Sequence, residues 1–359
     1  MDDIKYSKQD AKMTQGVAIL AMLLLHLFCR FAEDFPGHPL IWINDNTPLL
    51  YWFGFFSEIC VPLYSICAGY AYALMYQSGK GDIRSRINRV VKLIVNYWII
   101  LVIFTVMGMV VKSERIPGSL LDFFGNFLLI TPHSYNGTWW YLITYIIIQL
   151  IPIVIIILPS ERMHLFSGLG LCLALDALRW GVQKFSVLPD TISDQFLFNY
   201  MYTQVRNLCR VLPFIWIGGI FCKHKAVDKL YRYTSRRLPN KISLKVFSLS
   251  GLFFLFIITN IIHKALLMGC VAVGTFMLFN IWQKGNIARN IFLFLGENST
   301  NIWLSHMFYI SILFSIFTSK PRYSITVFAV ILVLCLLTSA LEKIINRGLI
   351  RLFKSRLLR

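Results

Sequence analysis

The chain has 359 residues, of which 57% are hydrophobic and only 14% are charged, and its mean hydropathy is +0.64. This composition excludes an ordinary soluble globular protein of this length. The formal net charge of +18 does not indicate a nucleic-acid partner, because basic loops beside anionic membrane lipid explain it.

The apolar residues occur in long runs that are separated by short polar loops. A helix needs about 20 apolar residues to cross about 30 Å of hydrocarbon. The runs therefore predict an all-α polytopic membrane protein with about ten transmembrane helices. They lie near residues 14–31, 49–76, 90–111, 138–158, 163–182, 206–222, 243–262, 265–283, 299–318 and 324–341.

The basic residues predict the orientation in the membrane. With a cytoplasmic amino terminus, 25 of the 35 Lys and Arg residues fall on the inner side, seven on the outer side and three within or at the ends of helices. This bias predicts two cytoplasmic termini. Residues 1–345 form one predicted transmembrane domain, and residues 346–359 form a predicted basic amphipathic tail on the inner leaflet. We expect a multi-pass protein of a bacterial cytoplasmic membrane.

Common cofactor motifs are missing from the sequence. The eight cysteines show no CxxC spacing and the seven histidines no HExxH spacing, so we expect neither a metal site nor a disulfide framework. There is also no Walker loop and no GxGxxG segment, which argues against an ATP-driven pump and a nicotinamide enzyme.

His26 interrupts the first apolar run, QGVAILAMLLLHLF. A polar group at this depth usually faces a protein interior or a wet cavity, where an imidazole can accept a proton. A packing role and a catalytic role are both compatible with the segment. At 1.5 Å per residue, Glu58 on the second run lies at a comparable depth. Its carboxylate is predicted to orient His26, and contact with another helix is the alternative.

Further polar and aromatic residues occupy the apolar runs. Asp176 and Arg179 are three apart and can pair on one helical face, and Arg206 and Arg210 are four apart. Two tryptophans that begin the fourth run are either interfacial anchors or contacts for a substrate.

The segment RSRINRVVKLIVNYW carries Arg86, Arg89 and Lys92 at three-residue spacing. This spacing makes one basic stripe at the entrance to the third span. Such a stripe can bind phosphates through bidentate guanidinium contacts, and charge that only sets the topology is the alternative.

Six segments resemble, in order, the signature segments of the membrane acyltransferase-3 family. They are QGVAILAMLLLHLF, CVPLYSICAGYAYAL, RSRINRVVKLIVNYW, GTWWYLITYIIIQLIPI, RVLPFIWIGGIFC and LGENSTNIWLSHMFY. With Lys12 they span residues 12 to about 310. Two positions depart from the family pattern: Gln15 stands where many members have a cation, with Lys12 three residues earlier, and Ala68 replaces the serine of SGY.

The resemblance implies an integral membrane acyltransferase without a tightly bound cofactor. An acyl-CoA, usually acetyl-CoA, is then the donor on the cytoplasmic side, and a sugar hydroxyl of a glycan or lipid-linked glycan is the acceptor. His26 is the implied catalytic histidine, which either deprotonates the acceptor or takes the acetyl group first and relays it. We assign donor binding to Lys12, Arg86, Arg89 and His306, and acceptor binding to Trp139, Trp140, Asp176, Arg179, Arg206 and Arg210.

Two other classes remain open from the sequence. Ten helices with intramembrane Glu, Asp, Arg and His also suit a secondary transporter or exporter, and a membrane sensor or scaffold is the third reading. The oligomeric state is open as well, with a homodimer as one alternative.

Overall fold

The computed structural model describes residues 6–30, 35–111, 113, 116–131, 134–185, 189, 191–238, 240–319 and 323–357, with the backbone alone at 265, 312–319 and 352–357. Within these ranges the chain is almost entirely helical. The helices are α1 Lys8–Phe28, α2 Leu49–Phe56, α3 Cys60–Gln77, α4 Ile83–Val110, α5 Leu120–Phe127, α6 Trp140–Leu150, α7 Ile153–Arg162, α8 Leu165–Lys184, α9 Phe196–His224, α10 Ala226–Arg237, α11 Lys241–Ile262, α12 Met268–Ile281, α13 Asn286–Ser319 and α14 Ser324–Leu357. Two short strands, β1 Trp42–Asn44 and β2 Thr47–Pro48, pair antiparallel between α1 and α2.

The helices confirm the predicted multi-pass helical class. Seven spans in the described residues are long and apolar enough to cross a membrane, with α2 and α3 together as one. An eighth is counted if α6 and α7, which are bent by 87°, form one broken span. The number of about ten stays a prediction. Its remaining runs, 265–283 and 299–318, fall on α12, which has 14 residues, and on α13, whose side chains are described only to residue 311.

The carboxyl-terminal helix contains the predicted boundary between the transmembrane domain and the tail. The boundary between residues 345 and 346 lies inside α14, which continues without a break from Ser324 to Leu357. No proline interrupts this stretch, and its single glycine, Gly348, is insufficient to end the helix. Residues 346–357 of the predicted tail are therefore the last part of the same helix.

Local signals define the start of α4. Asp82 is its N-cap, and the carboxylate accepts a hydrogen bond from the backbone N–H of Ser85 at 2.9 Å. This hydrogen bond lowers the pKa of the exposed Asp82 carboxyl, and a hydrogen bond from the Ser85 side chain lowers it further. The cap begins the helix four residues before Arg86, so the basic stripe lies on the first turns of α4.

Two glycines allow α1 and α13 to touch along their backbones. A methyl group at Gly16 would overlap the carbonyl oxygen of Phe292, and one at Gly296 would overlap that of Lys12. Each Cα–Cβ bond tilts toward its helix amino terminus. This reciprocal pattern therefore places Gly16 level with Gly296 on helices that run in the same direction.

A second pair of glycines joins α3 to α9 in the same manner. A methyl group at Gly69 would overlap the carbonyl oxygen of Ile215, and one at Gly218 would overlap that of Ile66. The two helices are again parallel. Since small residues at such crossings let membrane helices approach closely, these two contacts fix the relative depths of four helices.

The broken span between α6 and α7 has a sequence cause. Pro152 lacks a backbone N–H and follows Ile151, which is extended (φ −68°, ψ 134°) as residues before proline usually are. The helix therefore ends at Leu150 and restarts at Ile153, which leaves the last carbonyl groups of α6 in need of donors inside the bundle.

We expect Gly296→Ala to destabilise the protein by about 1–3 kcal/mol, because the added methyl overlaps a backbone atom that no rotamer change can move. The measurement is the unfolding temperature of the purified protein in detergent. Gly170→Ala on α8 is the matched control, since nothing lies within 4 Å of a methyl group there. Equal unfolding temperatures for Gly296→Ala and the wild type would contradict the backbone contact.

Candidate active site

Two histidine side chains meet between α1 and α13. His26 lies ten residues after Gly16, and His306 lies ten residues after Gly296. Because the glycines are level and the helices parallel, equal helical rise brings both imidazoles to one depth. Their ring centroids are 5.2 Å apart and the ring planes are inclined at 40°. The structure joins two residues that the sequence analysis placed in different roles.

The hydrogen bond of His306 defines its tautomer. The residue is 0% exposed, and its Nδ1 lies 2.8 Å from the carbonyl oxygen of Trp303. A carbonyl oxygen can only accept, so Nδ1 carries the proton and Nε2 of the neutral ring carries a lone pair. Within the described residues this Nε2 has no hydrogen-bond partner. A buried polar atom of this kind is uncommon and calls for a reason.

His26 is the accessible member of the pair. Its side chain is half-buried, whereas that of His306 is sealed. The adjacent Leu25 lines a cavity of about 780 Å³. The His26 carbonyl oxygen accepts a hydrogen bond from Arg30 Nε at 3.1 Å, which holds the end of α1. Of the two imidazoles, that of His26 is therefore the less enclosed.

Glu58 has a different neighbour from the one that the sequence predicts. It lies in a 3₁₀ turn, Ser57–Ile59, between α2 and α3. In the described part of the chain no hydrogen bond joins it to His26. Glu58 instead lines the same cavity as Arg179 and Arg210. In the structure the neighbour of His26 is therefore His306, and Glu58 lies near the arginines of the cavity.

Two large cavities lie near the helix ends that the charge bias assigns to the outer face, and neither histidine of the pair is among their described lining residues. The outer cavity, about 780 Å³, has a charged lining that includes Glu58, Arg179, Lys184, Arg210, His263 and Lys264. The lateral cavity, about 730 Å³, lies between α8 and α9 and has a mainly apolar lining that includes Leu175, Leu178, Val205, Leu212 and Trp216. Both cavities share Arg179, Gln183 and Arg210.

The predicted pairing of Asp176 with Arg179 is confirmed. Nη2 of Arg179 lies 3.0 Å from Oδ1 of Asp176, and Nε lies 3.2 Å from the same oxygen. Asp176 is only 4% exposed. The ion pair therefore anchors the Arg179 guanidinium at the junction of the two cavities.

Arg210, Arg206 and Trp140 also lie where they can contact a substrate. The guanidinium carbon of Arg210 is 5.0 Å from the centroid of the Trp140 ring, within the range of a cation–π contact. That of Arg206 is 5.9 Å from the ring of Tyr202, and both residues line the lateral cavity. The assignment of these residues to the acceptor stays a prediction.

Trp139 has a structural position, which corrects its assignment as an acceptor contact. The side chain is 0% exposed, and Nε1 donates a hydrogen bond to the carbonyl oxygen of Leu304 at 3.2 Å. Its ring packs edge-on against Tyr97 and Phe308. A side chain committed in this way contacts neither cavity, and it fastens the start of α6 to α13.

Arg86 also differs from the prediction of a phosphate-binding residue. It is 1% exposed, and its Nη1 and Nη2 atoms each donate a hydrogen bond of 2.6 Å, to the carbonyl oxygens of Ile151 and Ile148 respectively. Its Nε donates to Gln149 at 3.4 Å. Arg86 therefore supplies the donors that the broken end of α6 requires. The three-residue spacing could not reveal this, because the partner carbonyls come from another helix.

The remaining donor-side cations are more accessible. Arg89 and Lys92 are exposed on α4, and the Nη1 atom of Arg89 touches the sulfur of Met75 at 2.9 Å. Lys12 is half-buried, and its Nζ lies 3.5 Å from the carbonyl oxygen of Gly296. Lys12 thus stands at the glycine contact of α1 and α13.

A buried polar network below His306 was missed by the sequence analysis. Glu342 on α14 is 1% exposed and accepts hydrogen bonds from Asn301 at 2.7 Å and Asn346 at 3.1 Å. Ser339 joins the network through Asn301 at 3.2 Å. Polar residues three apart in apolar runs, as in Ser339 and Glu342, are the signal that could have found it.

The helical fold and the enclosed histidine pair define a multi-pass membrane protein with polar side chains inside the bundle. The model of the acyltransferase-3 family, described as an acyltransferase domain, matches residues 12–341. The chain therefore belongs to this family and is a membrane acyltransferase. No curated protein and no solved structure matches the chain.

We expect Arg86→Gln to lower the unfolding temperature, because two buried carbonyl groups lose their donors at about 1–3 kcal/mol for each unsatisfied group. Arg89→Gln is the matched control, since Arg89 is exposed and a surface change usually stays within about 0.5 kcal/mol. Thermal unfolding in detergent compares the two variants. The capping role of Arg86 is wrong if both variants unfold at the wild-type temperature.

Proposed function

We propose that the protein is an O-acetyltransferase that moves an acetyl group from acetyl-CoA to a sugar hydroxyl of a cell-surface polysaccharide or its lipid-linked precursor. Family membership supplies acyl transfer, and the six family-like sequence segments support the donor and acceptor classes. The observation that carries the site is the pair of His26 and His306, whose ring centroids are 5.2 Å apart inside the bundle.

His26 is the proposed general base. A sugar hydroxyl is a poor nucleophile at neutral pH, and a base within hydrogen-bond reach accelerates its reaction by about 10² to 10⁴. The hydroxyl proton passes to His26 while the oxygen attacks the thioester carbonyl carbon. The carbon–sulfur bond then breaks, and the leaving thiolate takes up the proton to give CoA. The half-buried position of His26, in contrast to the sealed His306, supports this role.

His306 is the proposed positioning residue for His26. Its Nε2 lone pair has no partner in the described residues, and its Nδ1–H is held by Trp303. We propose that Nε2 accepts a hydrogen bond from one ring nitrogen of His26 in the reacting state. The other ring nitrogen of His26 then keeps a lone pair that faces the acceptor hydroxyl. In this arrangement His26 is the base and His306 is the residue that orients it.

The donor is proposed to bind from the cytoplasmic side of a bacterial cytoplasmic membrane. Arg89 and Lys92 are exposed at the start of α4 and can contact the phosphates of acetyl-CoA. Lys12 lies between this end of the bundle and His26, on the same helix as His26. The pantetheine arm then extends inward along α1 and α13.

Two routes for the acetyl group fit this arrangement. In direct transfer the acceptor oxygen attacks the thioester itself. In a relay, His26 attacks first, and an acetylated imidazole passes the group to the acceptor. Acetylated protein trapped from labelled acetyl-CoA without acceptor supports the relay, whereas ternary-complex kinetics supports direct transfer.

A secondary transporter of a polar or glycan-related solute is the second candidate, and the broken span favours it. Discontinuous helices such as α6 and α7, bent by 87°, often form substrate sites in transporters. Transport needs no thioester. Release of CoA when membranes are incubated with acetyl-CoA separates the two functions.

We expect His26→Ala to lower acetyl transfer from labelled acetyl-CoA by a factor of at least about 10², because the base is removed. The amount of folded protein should not change. His164→Ala is the matched control, since His164 is exposed at the start of α8. Full transfer by His26→Ala would overturn the mechanism. An equal loss of transfer in His164→Ala would show that the loss is not specific to His26.

We expect Arg89→Gln to raise the KM for acetyl-CoA by about tenfold, because hydrogen bonds to charged groups contribute about 1.5–3 kcal/mol. The kcat should change little. Acetyl-dephospho-CoA, which lacks one phosphate, tests the contact: if Arg89 binds that phosphate, the variant loses less with this donor than with acetyl-CoA. An unchanged KM in Arg89→Gln would exclude Arg89 from the donor site.

A further inference from the structure

The outer and lateral cavities differ in chemistry and meet at shared residues. Arg179, Gln183 and Arg210 belong to the lining of both. The outer cavity has a charged lining that also includes Leu25, the residue before His26 on α1. The lateral cavity is mainly apolar but also contains Arg206 and Asn207, so a ligand that suits both cavities has a charged end in the outer cavity and an apolar part in the lateral cavity.

The charge of the outer cavity is positive. Four cations, Arg179, Lys184, Arg210 and Lys264, face one carboxylate, Glu58. Arg179 is partly neutralised by its ion pair with Asp176. With both carboxylates counted, two positive charges remain among the described lining residues. Such a site favours an anion, because water is scarce at this depth and unpaired charge is costly.

Arg210 lies at the junction of the two cavities. Within the described ranges it forms no ion pair with a carboxylate, and its partner is the face of Trp140 at 5.0 Å. The side chain is exposed through the cavities. A guanidinium in this setting is suited to bidentate contact with a phosphate.

The lateral cavity opens toward the lipid. Leu178 is 64% exposed and Val205 is 56% exposed on the facing sides of α8 and α9. In a membrane such side chains face hydrocarbon rather than water. A flexible alkyl or isoprenoid chain can therefore enter the lateral cavity sideways while its headgroup stays at the shared arginines.

The position of Arg210 along α9 agrees with an outer-leaflet headgroup. It lies 13 residues before Lys223, which begins the basic inner end of the helix. At 1.5 Å per residue this is about 20 Å from the inner end, so Arg210 lies in the outer half of a hydrocarbon core of about 30 Å. Lys184 and Lys264 stand at the outer helix ends above it.

We propose that the two cavities bind the acceptor as a phosphate-bearing lipid, with its chain in the lateral cavity and its phosphate at Arg210 and Arg179. The sugar that follows the phosphate then lies in the outer cavity, whose lining includes Leu25, the residue before His26. This inference rests on the proposed transfer to a glycan, and it narrows the acceptor to a lipid-linked glycan whose lipid carries a phosphate group.

Binding of a short probe tests the site without any transfer reaction. The probe is radiolabelled farnesyl phosphate, measured with the full-length protein in phosphatidylcholine nanodiscs, and empty nanodiscs give the background. Unlabelled farnesol and inorganic phosphate serve as competitors. We expect saturable binding that farnesol and inorganic phosphate each displace at least about tenfold less well than farnesyl phosphate.

The variants assign that binding to the cavities. Arg210→Gln should weaken probe binding by about tenfold or more, and Lys264→Gln, at the exposed outer end, should weaken it by a smaller factor. Arg236→Gln is the matched control on the exposed face of α10 and should bind as the wild type does. If Arg210→Gln misfolds, the remaining two variants still test the phosphate contact: Lys264→Gln must bind the probe more weakly than Arg236→Gln.

Each other outcome counts against the proposal. Wild-type affinity in both Arg210→Gln and Lys264→Gln, or equal displacement by farnesol, would overturn the phosphate contact. Equal displacement by inorganic phosphate would assign the site to a free anion and overturn the lipid contact. His26→Ala should bind the probe normally. Probe binding without acetyl transfer in the wild type would therefore contradict the proposed function alone, and transfer without probe binding would contradict this inference alone.

Discussion

The backbone contact between Gly16 on α1 and Gly296 on α13 is the constraint on which the site depends. It leaves no room for a side chain at either position. The contact fixes both the separation of the helices and their register, and ten further residues on each helix end at His26 and His306. A shift by one residue would move one imidazole by about 1.5 Å in depth and about 100° around its helix. The pair would then separate.

The second glycine contact, between Gly69 on α3 and Gly218 on α9, organises the other half of the site. Eight residues before Gly218 lies Arg210, and eight before Gly69 lies Val61, one turn from Glu58. All three line the outer cavity. One glycine contact therefore sets the histidine pair, and the other sets the charged lining. Two apolar clusters reflect this division, one mainly on α3, α9 and α12 and one mainly on α1, α4, α13 and α14, with α1 contributing to both.

Sequence reasoning predicted features that depend on one helix at a time. Apolar runs gave the helices, three-residue spacing gave the ion pair of Asp176 and Arg179, and helical rise gave the comparable depths of His26 and Glu58. Features that depend on which helices are neighbours were not predictable. Rise determines depth but not direction, so Glu58 was matched to the wrong partner. Arg86 has the spacing of a surface stripe. The carbonyl groups that it binds lack helical donors because Pro152 ends α6 early.

The charged side chains of the outer cavity and the apolar surroundings of the histidine pair occupy different parts of the bundle. This arrangement explains why a histidine, His306, is a suitable neighbour for His26. Apolar side chains surround the pair in the cluster of α1 and α13, where an ionised group without compensation is costly. A second neutral imidazole adds no charge, yet its lone pair can accept a hydrogen bond from the ring that gains the proton. The carboxylates Glu58 and Asp176 lie instead among the arginines, where their charge is balanced. In the proposed reaction the protonated state of His26 is therefore brief, because the apolar surroundings disfavour it and the thiolate produced by the same step takes the proton away.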